Sequence, residues 1–262
     1  MNRQIGRQVQ QQRARREKTI KSTVRITGAV VLLIAVFFGI AFLTDDGDES
    51  TAPADSAVPT SPAPTETSTP AEFTYGTGEC APADGSAEQT REFSDAPALC
   101  IDPTKTYTAV VTTNMGEYTI TLDPTKAPGT VNNFVNLARF KYFDGISCHR
   151  AIPGFMVQCG DPTGTGSGGP GYTFADELPA AGEYKIGSVA MANAGPDTNG
   201  SQFFVITGDQ GVTLPPNYTL FGQVTAGLDT TVTALDAAGN PNDNGVPPLQ
   251  EIIIESVVIT EA

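Results

Sequence analysis

The chain has 262 residues, a formal net charge of −14 and a single histidine. Eight Lys/Arg and one acid fall within residues 1–26, so this head carries +7 and the remainder −21. An acidic body excludes nucleic-acid binding through that body, because neutralising phosphates needs clustered cations. One histidine does not supply a His-based metal site.

In chain order, a basic tail (1–25) leads into ITGAVVLLIAVFFGIAFLT (26–44), which holds no charged residue. About 20 mostly apolar residues span a bilayer core. The basic flank stays cytoplasmic by the positive-inside rule, with Asp45, Asp46 and Asp48 on the other side. A cleaved signal peptide usually has a shorter apolar region of about 7–15 residues. The pattern predicts an uncleaved single-pass anchor with its N-terminus inside. Residues 45–72 are rich in Pro, Ser, Thr and Asp and lack large apolar side chains. They cannot offset their ordering entropy and read as a disordered tether.

Residues 73–106 form an extracytoplasmic extension with Cys80 and Cys100. That side of a membrane permits disulfides. A Cys80–Cys100 bridge would tie down this weak segment, contributing about 3 kcal/mol in the chain-entropy model. No C-x-x-C is present, so a zinc ribbon or a thioredoxin-type site has little support.

Ordered structure is predicted from Tyr107. YTAVVTTNMGEYTITL reads as a hairpin around Asn114-Met115-Gly116. PGTVNNFVNLARF (128–140) switches to helical spacing, with Thr130 as a fair N-cap. Short extended runs follow at 147–159, 185–192, 202–207, 219–224 and 250–259, with a second helix over Leu228–Ala237. About eight strands and two helices suggest a closed antiparallel barrel with helices over its ends. The Gly-rich stretch DPTGTGSGGPGY (161–172) lacks the ending of a P-loop and reads as a permissive surface loop.

No G-x-S-x-G occurs, so a nucleophile elbow is not seen, and His149 reads as a structural residue making a hydrogen bond. A different cluster remains. Arg150 is followed within eight residues by Phe155, Met156 and Gln158. An apolar wall with few placed donors is the composition of a binding site. Arg150 and Gln158 should face one groove as partners on paired strands. Cys148 would then oppose Gly160 and Cys159 would point to the other face, which predicts free thiols at Cys148 and Cys159 unless a bulge intervenes.

FDGISCHRAIPGFMVQCGDPTGTGSGGPGYTFADE (143–177), GSVAMANAGPDTNGSQFFVITGD (187–209) and YTLFGQV (218–224) together resemble the cyclophilin family of peptidyl-prolyl cis-trans isomerases. The resemblance covers roughly residues 107–260, and the anchor, tether and extension are similar to those of anchored cyclophilins of high-GC Gram-positive bacteria. It implies an eight-stranded antiparallel barrel capped by two helices in residues 107–262. It also implies roles. Arg150 matches the catalytic arginine. Phe155, Met156 and Phe204 match the walls of a proline pocket, and Gln158 and Gln202 match polar groups near the peptide backbone. Ala192 and Asn193 match the stretch that pairs with the substrate main chain, and Leu214 matches a rim leucine.

Two positions depart from the family pattern. Tyr218 stands where many cyclophilins carry histidine, and Thr213 stands near the place of a rim tryptophan that this chain lacks. The second departure implies weakened cyclosporin binding. The implied activity is isomerisation of X-Pro bonds in unfolded or secreted polypeptides, without metal or cofactor. The alternative is a module of the same shape that binds Pro-containing segments without turnover.

Overall fold

In the computed structural model, which describes residues 73–262, the alternating run YTAVVTT forms β1 (Tyr107–Thr113). GEYTITL forms β2 (Gly116–Leu122). Tyr107, Ala109 and Val111 of β1 and Tyr118, Ile120 and Leu122 of β2 are buried, as a two-residue period requires of a strand with one face in the core. The hairpin closes at Gly116, whose φ of +126° suits a residue without Cβ. The tail 1–25, the apolar segment 26–44 and the tether 45–72 lie outside the described residues. Among the described residues no helix is long and apolar enough to cross a membrane.

Further strands are β3 (Ile146–Ser147), β4 (Arg150–Ile152), β5 (Met156–Cys159), β6 (Ser188–Met191), β7 (Phe203–Ile206), β8 (Leu220–Ala226) and β9 (Ile253–Glu261). They form one antiparallel sheet in the order β3-β9-β1-β2-β8-β6-β7-β5-β4. This differs from the expected closed eight-stranded barrel. The sheet has nine strands, and its edges β3 and β4 do not pair among the described residues. They are joined by only Cys148 and His149, so the chain itself brings the curled sheet round.

Helix α1 (Pro128–Arg139) packs Val131, Phe134, Val135, Leu137 and Ala138 into the main core. Phe134 on α1 stands 5.0 Å from Phe143, 5.4 Å from Phe203 and 5.2 Å from Phe221, between ring centres. These rings are at most 1% exposed and form the centre of the core. Thr130 does not cap the helix. Pro128 begins it, and the cap comes from Glu177, 47 residues from Thr130. Its carboxylate accepts from the Gly129 and Thr130 N–H groups at 2.9 and 2.8 Å and from the Thr130 hydroxyl at 2.7 Å. The expected second helix is present as a π-turn (Leu228–Val232) running into α3 (Thr233–Ala237). A further short turn, α2 (Asp209–Val212), follows β7.

Order begins well before Tyr107. The extension docks on α1 through side-chain amides as well as through apolar contacts, with the Phe73 ring over Gly129 and the Phe93 ring against Phe140. Asn136 accepts from the Ala81 N–H and donates to the Glu79 carbonyl. Asn132 accepts from the Cys100 N–H and donates to the Ala98 carbonyl. This is why α1 buries Asn132 and Asn136, which an amphipathic helix would normally leave in water, while the buried Asn133 donates to the Gly200 carbonyl and accepts from Tyr172. The Cys80–Cys100 bridge is formed, with Cα atoms 5.3 Å apart.

Cys148 and Cys159 are also bridged, with Cα atoms 4.0 Å apart, contrary to the expected free thiols. The register expectation itself held, since Arg150 opposes Gln158. The ladder ends at that pair. Cys148 leaves β5 and donates its N–H to the Ile252 carbonyl at 2.8 Å, while Gly160 turns with a φ of +88°. Regular alternation therefore does not reach the cysteines, and both sulfurs fall in the core. Alkylation of the non-reduced protein followed by mass spectrometry is expected to modify none of the four cysteines. Labelling of Cys148 and Cys159 without reductant would contradict the pairing.

Candidate active site

Strands β4, β5, β7 and β6 bury both faces. Ala151, Val157, Val205 and Val189 enter the main core. Across the same ladders, Arg150 opposes Gln158, Gln158 opposes Phe204, and Phe204 opposes Ala190. These four residues therefore share the opposite face. The next row pairs Ile152, Met156 and Ile206. Met156, Phe204, Ile206, Ala190 and Tyr184 form a second, smaller apolar cluster, edged by Phe155, Ala192, Leu214 and Tyr218. Phe203 points the other way into the main core, as alternation predicts.

Above this cluster lies a pocket of about 180 Å³. Phe155, Met156, Phe204 and Leu214 give it apolar walls, and Tyr218 meets the Phe204 ring edge-on at 5.4 Å. Arg150, Gln158, Ala192 and Asn193 line one side. Nine of the ten residues assigned to the site from sequence thus converge. Gln202 does not line this pocket. It sits behind Gln158, accepting from its amide at 2.9 Å and donating to the Gly168 carbonyl at 2.9 Å. Thr213 is exposed at the end of α2 and does not line the pocket.

The guanidinium is fixed from two directions. Nε donates to the Asn244 carbonyl at 3.0 Å and Nη2 to the Asn244 side-chain oxygen at 2.8 Å. Nη1 reaches the Gln158 side-chain oxygen at 3.3 Å. Burial pulls the Arg150 pKa down from its ordinary value, partly opposed by Tyr218. Arginine starts so high that it stays charged at working pH.

Asn244 escaped the sequence reading, being 94 residues from Arg150. It sits at a φ of +56°, a region asparagine tolerates better than most side chains. Asn244→Ala is expected to cut kcat/KM roughly threefold to tenfold, because it removes one acceptor and disfavours that backbone geometry. Unchanged turnover would show that Gln158 alone suffices to orient Arg150.

Three more supports were not visible in the sequence. Asp236 of α3 accepts from the Gly154 N–H at 2.8 Å, pinning the turn that presents Phe155. Tyr184 donates to the Tyr218 carbonyl at 2.6 Å and accepts its N–H at 3.2 Å. Burial pushes the Tyr184 phenol up to about 12, so it remains the donor. Asp161 organises the Gly-rich stretch, which is therefore not a permissive loop. Its fully buried carboxylate accepts N–H bonds from Thr163, Thr165, Gly166 and Gly168. Burial alone would raise its pKa, but these donors and the Thr163 hydroxyl outweigh it and hold the pKa at about 2.

His149 packs beneath this loop, and a Cβ at Gly166 would stand 3.4 Å from its Nε2. Its Nδ1 lacks the hydrogen bond expected of it. Burial is the first cause lowering its pKa, so the ring is neutral and structural.

Beside the pocket, across Gln158, Ala192 and Asn193, the groove continues into a second cavity of about 400 Å³. Its far wall comes from the Asp161-ordered loop, through Gly168, Pro170 and Tyr172. Among the described residues no group of three or more His, Cys, Asp or Glu could hold a metal ion.

Residues 108–259 match the family model of the cyclophilin type peptidyl-prolyl cis-trans isomerase/CLD. The chain is 43% identical over 167 residues to peptidyl-prolyl cis-trans isomerase B of Streptomyces anulatus, covering 58% of this chain and 95% of that protein. It is 41% identical over 185 residues to peptidyl-prolyl cis-trans isomerase A of Mycobacterium tuberculosis, covering 64% of this chain and all of that protein. A crystal structure of a Cryptosporidium parvum cyclophilin type isomerase, determined in the presence of the dipeptide Ala-Pro, superposes with a TM-score of 0.52 at 35% identity, covering 58% of this chain and 98% of that one. The chain belongs to the cyclophilin-type peptidyl-prolyl cis-trans isomerase family.

Proposed function

We propose that this chain accelerates cis-trans isomerisation of X-Pro bonds in extracytoplasmic polypeptides and so assists their folding. The observation that carries the activity is the placement of Arg150, a clamped cation at the edge of an apolar pocket. Rotation about X-Pro is slow because it breaks amide resonance, a barrier of about 18–20 kcal/mol. As the bond twists, the prolyl nitrogen regains its lone pair and becomes a better acceptor. A donor aimed at that nitrogen stabilises the twisted state more than the planar one. Arg150 supplies it. Its bonds to Asn244 and Gln158 engage three of five N–H donors, leaving two for the substrate.

Phe155, Met156, Phe204 and Leu214 hold the prolyl ring, and Ala192 and Asn193 hold the flanking main chain. Tyr218 supports the Phe204 ring. Gln158 orients Arg150, and Gln202 orients Gln158. The low polarity of the walls strengthens the developing hydrogen bond. No step requires a metal or cofactor.

Three observations support an outer, membrane-tethered location. They are the uncharged segment 26–44, its basic flank, and two disulfides of a kind rare in reducing compartments. Protease treatment of intact cells should then digest residues 73–262 and spare a tag on the basic tail. The missing rim tryptophan should leave cyclosporin a weak inhibitor.

The activity itself is tested with the full chain in a protease-coupled assay on an Ala-Pro peptide. The expected result is relaxation well ahead of the spontaneous exchange, which takes tens to hundreds of seconds. Binding of the peptide without acceleration would instead identify a non-catalytic module.

A further inference from the structure

The extension does more than lie on α1. Phe93 donates its N–H to the Pro170 carbonyl at 2.9 Å. Its ring stands 6.3 Å from Tyr172, 5.3 Å from Phe140 and 6.3 Å from Tyr142, between centres. Gly171, between the two loop residues, approaches so closely that a Cβ there would run into the Phe93 carbonyl. Pro170 and Tyr172 are wall residues of the second cavity. From below, Tyr172 donates to Asn133 of α1 at 2.6 Å. The wall is thus held between α1 and the extension. The extension is in turn fixed by the Cys80–Cys100 bridge and by the Asn132 and Asn136 amides.

We propose that the extension is a specificity element: through Phe93 it fixes the Pro170–Tyr172 wall, keeping the second cavity open for a bulky uncharged side chain close to the isomerising bond. This rests on the isomerase reading of the neighbouring pocket. The chemistry of the side chain follows from the lining. The cavity is built largely of glycine backbone, hydroxyls and amides, with no Lys, Arg, Asp or Glu among its residues. Its 400 Å³ exceeds what a small side chain fills. The cavity also shares Gln158, Ala192 and Asn193 with the proline pocket, so one short peptide reaches both.

The test compares two peptides with the full chain: one all-alanine around Ala-Pro, the other carrying Phe at the positions flanking it. Phe93→Ala is expected to lower kcat/KM for the Phe-bearing peptide about five- to tenfold, mostly through KM, and to change the alanine peptide by less than about twofold. Gly171→Ala attacks the same contact from the loop side and should give the same split. Phe93→Tyr, which keeps the ring, should restore wild-type selectivity. Leu99→Ala, an exposed change elsewhere on the extension, should alter neither rate. Equal losses on both peptides, or no loss on either, would overturn the proposal. If wild type turned over neither peptide, the isomerase reading would fail instead. The inference would then be read by calorimetry, as a loss of preference for the Phe-bearing peptide in Phe93→Ala, with an unchanged preference overturning it.

Discussion

Arg150→Ala is expected to lower kcat/KM for prolyl isomerisation by about a hundredfold, with a range of tenfold to a thousandfold, while the domain stays folded. Removing one preorganised donor from a transition state costs about 10²–10³ in rate in other enzymes. Here the donor is fixed before substrate arrives, because Asn244 and Gln158 hold it from two directions. The loss should fall on kcat more than on KM, since the lone pair it meets develops only in the twisted state. Arg150→Lys should recover little, because an ammonium cannot keep the two Asn244 bonds and still reach the prolyl nitrogen. Unfolding is not expected. Arg150 lies on edge strand β4, and its guanidinium is spent on the groove rather than on the core.

Asp161→Ala is expected to have the largest effect on stability, about 3–5 kcal/mol, through four N–H groups left without their acceptor. The substitution also acts on the site. The loop that Asp161 gathers carries Gly168, whose carbonyl holds Gln202, which in turn holds Gln158. Residual folded protein should therefore show a raised KM, worst for peptides that use the second cavity. Chemical denaturation of the variant beside wild type reads the first effect, and a midpoint unchanged by the substitution would contradict it.

The same carboxylate gives a pH dependence. Its folded pKa of about 2 lies below that of an unfolded aspartate, so its stabilisation is fully present above about pH 4. That stabilisation is lost as pH falls through about 2. Asp161→Asn should flatten the denaturation midpoint across this window.

The parts of the molecule written in periodicity could be read from sequence. The β1–β2 hairpin, the span of α1, the Arg150–Gln158 register and the opposed directions of Phe203 and Phe204 all follow from spacings of two or about four residues. Of the site, Arg150, Phe155, Met156 and Gln158 stood out locally, on two short strands and the turn between them, whereas the other residues were implied only by the resemblance to the cyclophilin family.

What could not be read depends on polar contacts between distant residues. Asn244 reaches Arg150 across 94 positions, Glu177 caps α1 across 47, and Asn132 and Asn136 of α1 meet backbone groups of the extension. Such contacts leave no period in the chain. The Cys148–Cys159 bridge was missed because alternation was extended two residues past the point where the ladder ends. Asp161 was missed because a glycine-rich string reads the same whether loose or wound around a buried carboxylate.

Arg150 is expected to act on the turning bond rather than on peptide affinity. NMR exchange spectroscopy of an Ala-Pro peptide with the full chain separates the two, since chemical shifts report binding and cis-trans cross-peaks report turnover. Wild type is expected to give both. Arg150→Ala is expected to keep the shifts, with Kd within a few-fold, and to lose the cross-peaks at the same protein concentration. Cross-peaks of equal strength in the variant, or shifts without cross-peaks in wild type, would contradict it.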